Sequence, residues 1–328
     1  MRAMIRSVWS IRESRALLQR PNLRVTPRGA VVLAAVIFTV LFIASFDANA
    51  APTMSTTSAS QISLPAPVPQ EVIARGSLSV GVKCDYPPFG FIGANDQPQG
   101  FDVDVARQLA QYAFGDPNRV HLQCVTSANR IPYLTTDRVD ILIATLGYNK
   151  ERAGVISYSK AYFSSTGRLL VKKDSHITST AELRGNTVLL SVGTPYVPWF
   201  QQCMPDVSRI EFDTASEGLM ALLQGRGAAY VDDDTLLVNL AAKNPALAVV
   251  GDTYSSVWGL GMRKGDSAME SWVNAAITMM QQEDKFWTLF KKWIPEPDLQ
   301  SEFAKAMPRP GNNLSYPTGP LFTCPSSQ

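Results

Sequence analysis

The stretch LSVGVKCDYPPFGFIGANDQPQGFDVDVARQLAQYAFGDPNRVHLQCV, residues 78–125, decides the fold. It opens on a short apolar run, Leu78–Val82, and closes on another, Val120–Val125. Between them Asp104–Phe114 carries Val105, Ala106, Leu109, Ala110 and Ala113 at the spacing of one helix face. Strand, helix, strand in this order predicts a parallel sheet covered by helices. The same alternation continues along the chain. Asp140–Thr145, Arg168–Lys172, Thr187–Val192, Ala228–Val231 and Trp258–Met262 read as strands, and Ser216–Leu223, Leu236–Ala242 and Met269–Trp293 as helices. In such sheets ligands bind beyond the carboxyl ends of the strands, so the residues just after each strand carry the functional reading.

The chain has 328 residues, enough for about two domains. At 45% hydrophobic and 18% charged it is globular in composition. Its net charge of +2 is unevenly placed, because residues 1–50 hold seven Arg against Glu13 and Asp47. The remainder, 51–328, has 23 basic and 26 acidic residues and a net charge of −3. A net-acidic body argues against a general nucleic-acid binder. Two His and four scattered Cys, with no Cys-x-x-Cys, leave little material for a zinc site, and no metal or cofactor is expected.

Residues 1–50 read as an export signal: an Arg-rich segment to Arg28, an uncharged run from Ala30 to Phe46, and Ala48-Asn49-Ala50 as a cleavage site. An uncleaved membrane anchor is the alternative, since a 17-residue apolar run sits at the lower limit for a span. Residues 51–70 are Ser, Thr and Pro rich and read as a flexible linker. Export implies an oxidising compartment, in which disulfides persist. Cys84 and Cys124 follow or end the strands Leu78–Lys83 and Val120–Val125, so neighbouring strands would bring them within bridging reach. Cys203 and Cys324 remain, and a bridge there would tie down the C-terminal tail. That tail, 295–328, is Pro-rich and shows no regular period.

Several motifs occur in order: LSVGVKCDYPPF (78–89), GFDVDVA (100–106), RVDILIATLGYNKER (138–152), a strand before VKK (171–173), AELRG (181–185), GTPY (193–196), LLQGRGAAYVDDD (222–234) and a closing FKKW (290–293). Together they resemble the family 3 periplasmic solute-binding proteins of polar amino-acid importers of the ATP-binding-cassette (ABC) type, over about residues 71–293. The resemblance implies an α/β, two-lobed type II periplasmic-binding-protein fold, each lobe a mostly parallel sheet flanked by helices, joined by a two-stranded hinge. Lobe one would comprise 71–170 and 255–294, and lobe two 171–254. The chain would cross near Leu170–Lys173 and return near Thr253–Trp258. It also implies a monomer in the periplasm that closes on a free amino acid and presents it to an inner-membrane permease.

The resemblance also assigns site residues. Arg152 takes the position of the carboxylate-binding arginine, with Thr145 and the backbone N–H of Gly147 completing the cradle. The family usually carries Ser or Thr where Gly147 stands. Asp233 matches the acceptor of the ligand's amino group, with Asp232 and Asp234 as competitors in the same run. Thr194 matches a hydroxyl that touches the carboxylate. Pro195 removes an N–H donor beside it, and Tyr196 offers a phenol instead. Tyr86 is the aromatic of the first loop. Lys83 and Arg130, in TSANRIPY (126–133), add two cations, which buried would demand an anion. They resemble the aspartate/glutamate-binding branch and would hold a side-chain carboxylate. The alternative is that Arg130 pairs with Asp85 or Asp137.

Asp102 and Asp104 read as helix-start acids. An enzyme on the same fold, a cyclohexadienyl dehydratase acting on prephenate, is the alternative function, since prephenate is also a dicarboxylate. Its general acid would fall to Asp233.

Overall fold

The computed structural model describes residues 64–320, 322 and 324. The export signal and the linker as far as residue 63 lie outside them. Among the described residues no helix is long and apolar enough to cross a membrane.

The chain begins with α1 (Gln70–Arg75) and β1 (Leu78–Lys83), followed by a small antiparallel sheet of β2 (Asp85–Tyr86), β3 (Gly90–Ile92) and β4 (Pro98–Gln99). Then come α2 (Phe101–Phe114), β5 (Val120–Val125), α3 (Arg130–Thr135), β6 (Ile141–Ile143), α4 (Lys150–Val155) and β7 (Ile156–Lys172). The second part holds β8 (Thr187–Ser191), α5 (Tyr196–Cys203), β9 (Ser208–Phe212), α6 (Ala215–Leu223), β10 (Ala229–Asp233), α7 (Asp234–Lys243) and β11 (Leu247–Arg263). The chain closes with α8 (Ser267–Gln282), α9 (Lys285–Trp293) and α10 (Pro297–Phe303).

One eight-stranded sheet runs through the molecule in the order β5-β1-β6-β11-β7-β10-β8-β9. β1 pairs in parallel with β5 and β6, and β8 in parallel with β10 and β9. The two 17-residue strands β7 and β11 run antiparallel through the middle and join the halves. At the usual rise each is about 55 Å long. Gly167–Val171 of β7 already pairs with β10, so the strand has left the first half before residue 170, the boundary read from the sequence. The β7–β11 ladder slips between Asp252 and Ser255, beside that passage.

β1 is buried on both faces, which is why its sequence is a nearly continuous apolar run. α2 buries Val105, Ala106, Leu109, Ala110 and Ala113 as its periodicity predicts, and ends on Gly115 at φ 70°. Gly100, at φ 135°, enters α2 so close to β3 that a β-carbon would lie 2.2 Å from the Phe89 carbonyl oxygen. Only glycine fits there.

Four readings are corrected. Met269–Trp293 is two helices, because Asp284 at φ 51° breaks the run. The strand read at Asp140–Thr145 shortens to Ile141–Ile143, because the chain turns at Thr145, φ 48°. The tail after Ile294, read as having no regular period, carries α10, and its Phe303 and Met307 are buried in the main core. The linker read as 51–70 is also shorter, since Leu64 and Val68 pack against that core and α1 starts at Gln70.

Disulfides join Cys84 to Cys124 and Cys203 to Cys324. The first staples β5 to the exit of β1, where Lys83 stands opposite Val125.

Candidate functional site

The strand ends of the two halves face each other, and their loops bring cations to one side and carboxylates to another. Lys83 ends β1 and is only 2% exposed. Its ammonium donates to the Ser127 hydroxyl at 3.1 Å and lies 3.6 Å from Asp85. Burial pushes its pKa down, and Asp85 opposes that shift.

Arg130 opens α3 and is 1% exposed. Its guanidinium donates to the carbonyls of Ala144 and Thr145 and, at 3.4 Å, of Gly193 in the second half. Nε has no partner. Neither acid proposed for it is there: Asp85 stands beside Lys83, and Asp137 pairs with Arg263. Burial lowers its pKa to about 10, with the neighbouring charge of Arg152 adding to the shift.

Arg152 lies in α4, whose N-terminus is capped by the Asn149 side chain. Its guanidinium donates to the Gly147 carbonyl at 3.0 Å and to the Gly193 carbonyl at 2.6 Å. Two guanidinium groups of the first half thus converge on one carbonyl of the second. Gly193 sits at φ 75°, and a β-carbon there would lie 2.4 Å from the Ser127 carbonyl oxygen, so the approach of the halves requires glycine.

The opposite side is acidic. Tyr86 places its hydroxyl 2.6 Å from Asp232 and 2.5 Å from Asp233, linking β2 to the end of β10 across the two halves. Tyr196 donates to Asp233 at 2.5 Å, and Tyr230 to Asp232 at 2.7 Å. A phenol has one proton to donate, so Tyr86 satisfies both carboxyls only when one of them is protonated. Consistently, burial and the neighbouring Asp232 push Asp233 up to about 7. Asp234 lies outside this network and accepts from Ser165 and from the backbone of Thr166 and Thr235.

The structure therefore gathers Lys83, Tyr86, Arg130, Thr145, Gly147, Arg152, Tyr196 and Asp233. It does not bring the Thr194 hydroxyl to the cations, because that group donates to the Ser191 carbonyl at 2.7 Å within its own turn. Tyr196, read as a carboxylate contact, instead reaches Asp233. Asp232, read from the sequence only as a competitor of Asp233, joins it: it is wholly buried and shares Tyr86. It also took Asp102 for a capping acid. Asp102 makes no cap: wholly buried, it accepts from the Thr145 N–H at 3.0 Å and from Tyr162 at 3.0 Å, fixing the left-handed Thr145. Burial raises it to about 7.

These raised carboxyls set a pH dependence. A carboxyl whose pKa rises from 3.8 unfolded to about 7 folded holds its proton more tightly when folded. Its contribution to stability is full below 3.8 and is lost progressively as pH rises to about 7. Thermal unfolding of the ligand-free protein is expected several degrees lower at pH 8 than at pH 5. Asp233→Asn should flatten that slope. A midpoint that rises with pH would contradict the assignment.

Residues 78–296 match the sequence profile of the bacterial extracellular solute-binding proteins, family 3. The chain belongs to this family. It is 32% identical to the ABC transporter glutamine-binding protein GlnH of Bacillus subtilis over 219 residues, covering 66% of this chain and 80% of that protein. It is 28% identical to the L-glutamate/L-aspartate-binding protein of Pseudomonas aeruginosa over 261 residues, 76% of this chain and 83% of that one. The solute receptor for L-cysteine of Neisseria gonorrhoeae superposes with a TM-score of 0.67 at 30% identity, covering 70% of this chain and 96% of that structure. The fold is the type II periplasmic-binding-protein fold, and the long pair β7 and β11 is the connection between its two halves. The family match ends at residue 296, just before α10.

Proposed function

We propose that the protein captures an acidic amino acid, glutamate or aspartate, between its two halves and presents the closed form to an ABC permease. The observation that carries this reading is Arg130: a fully buried guanidinium with no carboxylate partner, beside a second guanidinium that is also answered only by carbonyls. Buried charges are normally paired, so this site is complementary to an anion. Arg152 and the Gly147 loop take the α-carboxylate. Arg130 takes the side-chain carboxylate, assisted by Lys83. Asp233, with Asp232 behind it, takes the ammonium in place of the phenols. Lys83 carries less of the weight, because Asp85 already lies 3.6 Å away. The relatives named for glutamine and for glutamate and aspartate support an amino-acid ligand of this size.

The test is calorimetric titration of protein stripped of ligand by unfolding and refolding. Glutamate, aspartate, glutamine, arginine, cystine and prephenate are compared. Glutamate or aspartate is expected to bind at least tenfold more tightly than glutamine, a gap of about 1.4 kcal/mol. Equal binding of glutamine would remove the acidic specificity and leave the transport role. Sustained heat from prephenate turnover would replace it with the dehydratase reading.

A further inference from the structure

Strand β11 is more than a connection between halves. Its middle lies directly against the loop that carries Thr145, Gly147 and Arg152. The Tyr148 N–H donates to the Val257 carbonyl at 2.8 Å, and the Gly259 N–H to the Leu146 carbonyl at 3.1 Å, so Gly147 is zipped onto the strand opposite Trp258. Tyr254, Ser256 and Trp258 alternate onto the buried side of β11, with Ser255 exposed between them.

Ser256 is 2% exposed, and its hydroxyl, although it lies near enough to the Tyr254 phenol to ease that group's burial, makes no hydrogen bond of normal geometry. Among the described residues eight buried side-chain polar atoms are unpartnered, and three of them belong to Thr253, Tyr254 and Ser256. A fourth is Arg130 Nε. Orphaned polar atoms are rare in native proteins, so their concentration on one stretch beside the cation cluster marks groups that await a partner. The position of Ser256 is also specific. A β-carbon on Gly147 would lie 2.3 Å from its Oγ and 3.8 Å from the Pro195 ring of the other half. The Ser256 hydroxyl therefore fills the volume that a side chain at 147 would take, at the seam between the two halves.

We infer that Ser256 is a ligand-binding residue, its hydroxyl donating to the α-carboxylate held by Arg152. This rests on the amino-acid-binding reading but not on its acidic specificity, because every amino acid carries that carboxylate. The returning strand thus forms a third wall of the site.

The test compares wild type, Ser256→Ala, and the double variant Gly147→Ser with Ser256→Gly, by titration with whichever amino acids the wild type binds. Gly147 has no left-handed φ, so a serine there is tolerated once residue 256 has no side chain. Ser256→Ala should weaken binding about tenfold or more, by a similar factor for every amino acid bound, since hydrogen bonds to charged groups are the strong ones. Its ligand-free unfolding midpoint should fall little, because the hydroxyl has only the Tyr254 phenol beside it and no hydrogen bond of normal geometry to lose. The double variant moves the hydroxyl to residue 147 and should recover most of the affinity. Affinity within twofold of wild type in Ser256→Ala overturns the inference. So does a loss in Ser256→Ala that the double variant leaves unrepaired. A loss confined to acidic ligands would reassign Ser256 to the side-chain carboxylate and overturn the α-carboxylate role. Equal wild-type affinity for glutamate and glutamine would sink the acidic reading alone and leave the Ser256 comparison intact.

Discussion

Replacing Arg130 by methionine is expected to weaken glutamate binding by roughly a hundred- to a few-thousand-fold while changing glutamine binding far less. The size follows from breaking a buried ion pair, about 3–5 kcal/mol when one partner is removed. The asymmetry follows from the site. In the proposed site glutamine presents the same α-carboxylate and ammonium to Arg152 and Asp233 and differs only where Arg130 stands. Arg130 holds its charge at a cost, since burial has pulled its pKa down to about 10. Methionine removes that cost but takes the donor from the Ala144 carbonyl, while the Thr145 carbonyl keeps the Gly147 N–H. The two effects oppose each other, so the ligand-free unfolding midpoint should move little. Titration with both ligands, alongside thermal unfolding without either, separates loss of recognition from loss of fold. Equal weakening of glutamate and glutamine would mean that Arg130 only supports the loop through its carbonyl contacts.

Part of this site was legible because β-strand ends are legible. Val80 and Val82 belong to a strand buried on both faces, and such strands read as apolar runs. Where the run stops, Lys83 and Tyr86 follow, and the same logic finds Arg130 after β5 and Arg152 after β6. The triple acid 232–234 resisted sorting. All three residues are buried, and only the position of the Tyr86 hydroxyl on the other half separates Asp232 and Asp233 from Asp234. Asp102 was misread for a similar reason. Its place at the first turn of α2 matches a capping acid, whereas its role is set by Thr145, 43 residues away. The length of β7 and β11 was hidden by register slips and by glycines at 167, 251, 259 and 261, which interrupt an alternating pattern. The C-terminal segment has no period to read, because its contacts are made one residue at a time.

Those contacts lead to the second large effect. After α10 the chain buries Phe303 and Met307, and Arg309 forms a two-point pair with Asp284 at 2.9 and 2.7 Å. Tyr316 stacks on Tyr148 at 4.6 Å and donates to the Ser159 carbonyl, so it braces the loop that follows Gly147. Phe322 then packs edge-on against Tyr254 at 5.0 Å, and Cys324 bonds Cys203 on α5. One segment is thus anchored on both halves of the sheet and closes a loop of 121 residues. Loop-closure entropy for that length is about 5 kcal/mol, against about 4 for the 40-residue loop of Cys84–Cys124. The double variant Cys203→Ala with Cys324→Ala is therefore expected to lose about 3–5 kcal/mol of stability, read from urea unfolding. It should also release bound ligand faster, because closed halves held by a cross-link separate less often than halves held by the cleft alone. A loss under about 1 kcal/mol with unchanged release would mean that the contacts of Phe303, Arg309 and Tyr316 hold the segment by themselves. The bridge would then add nothing to closure.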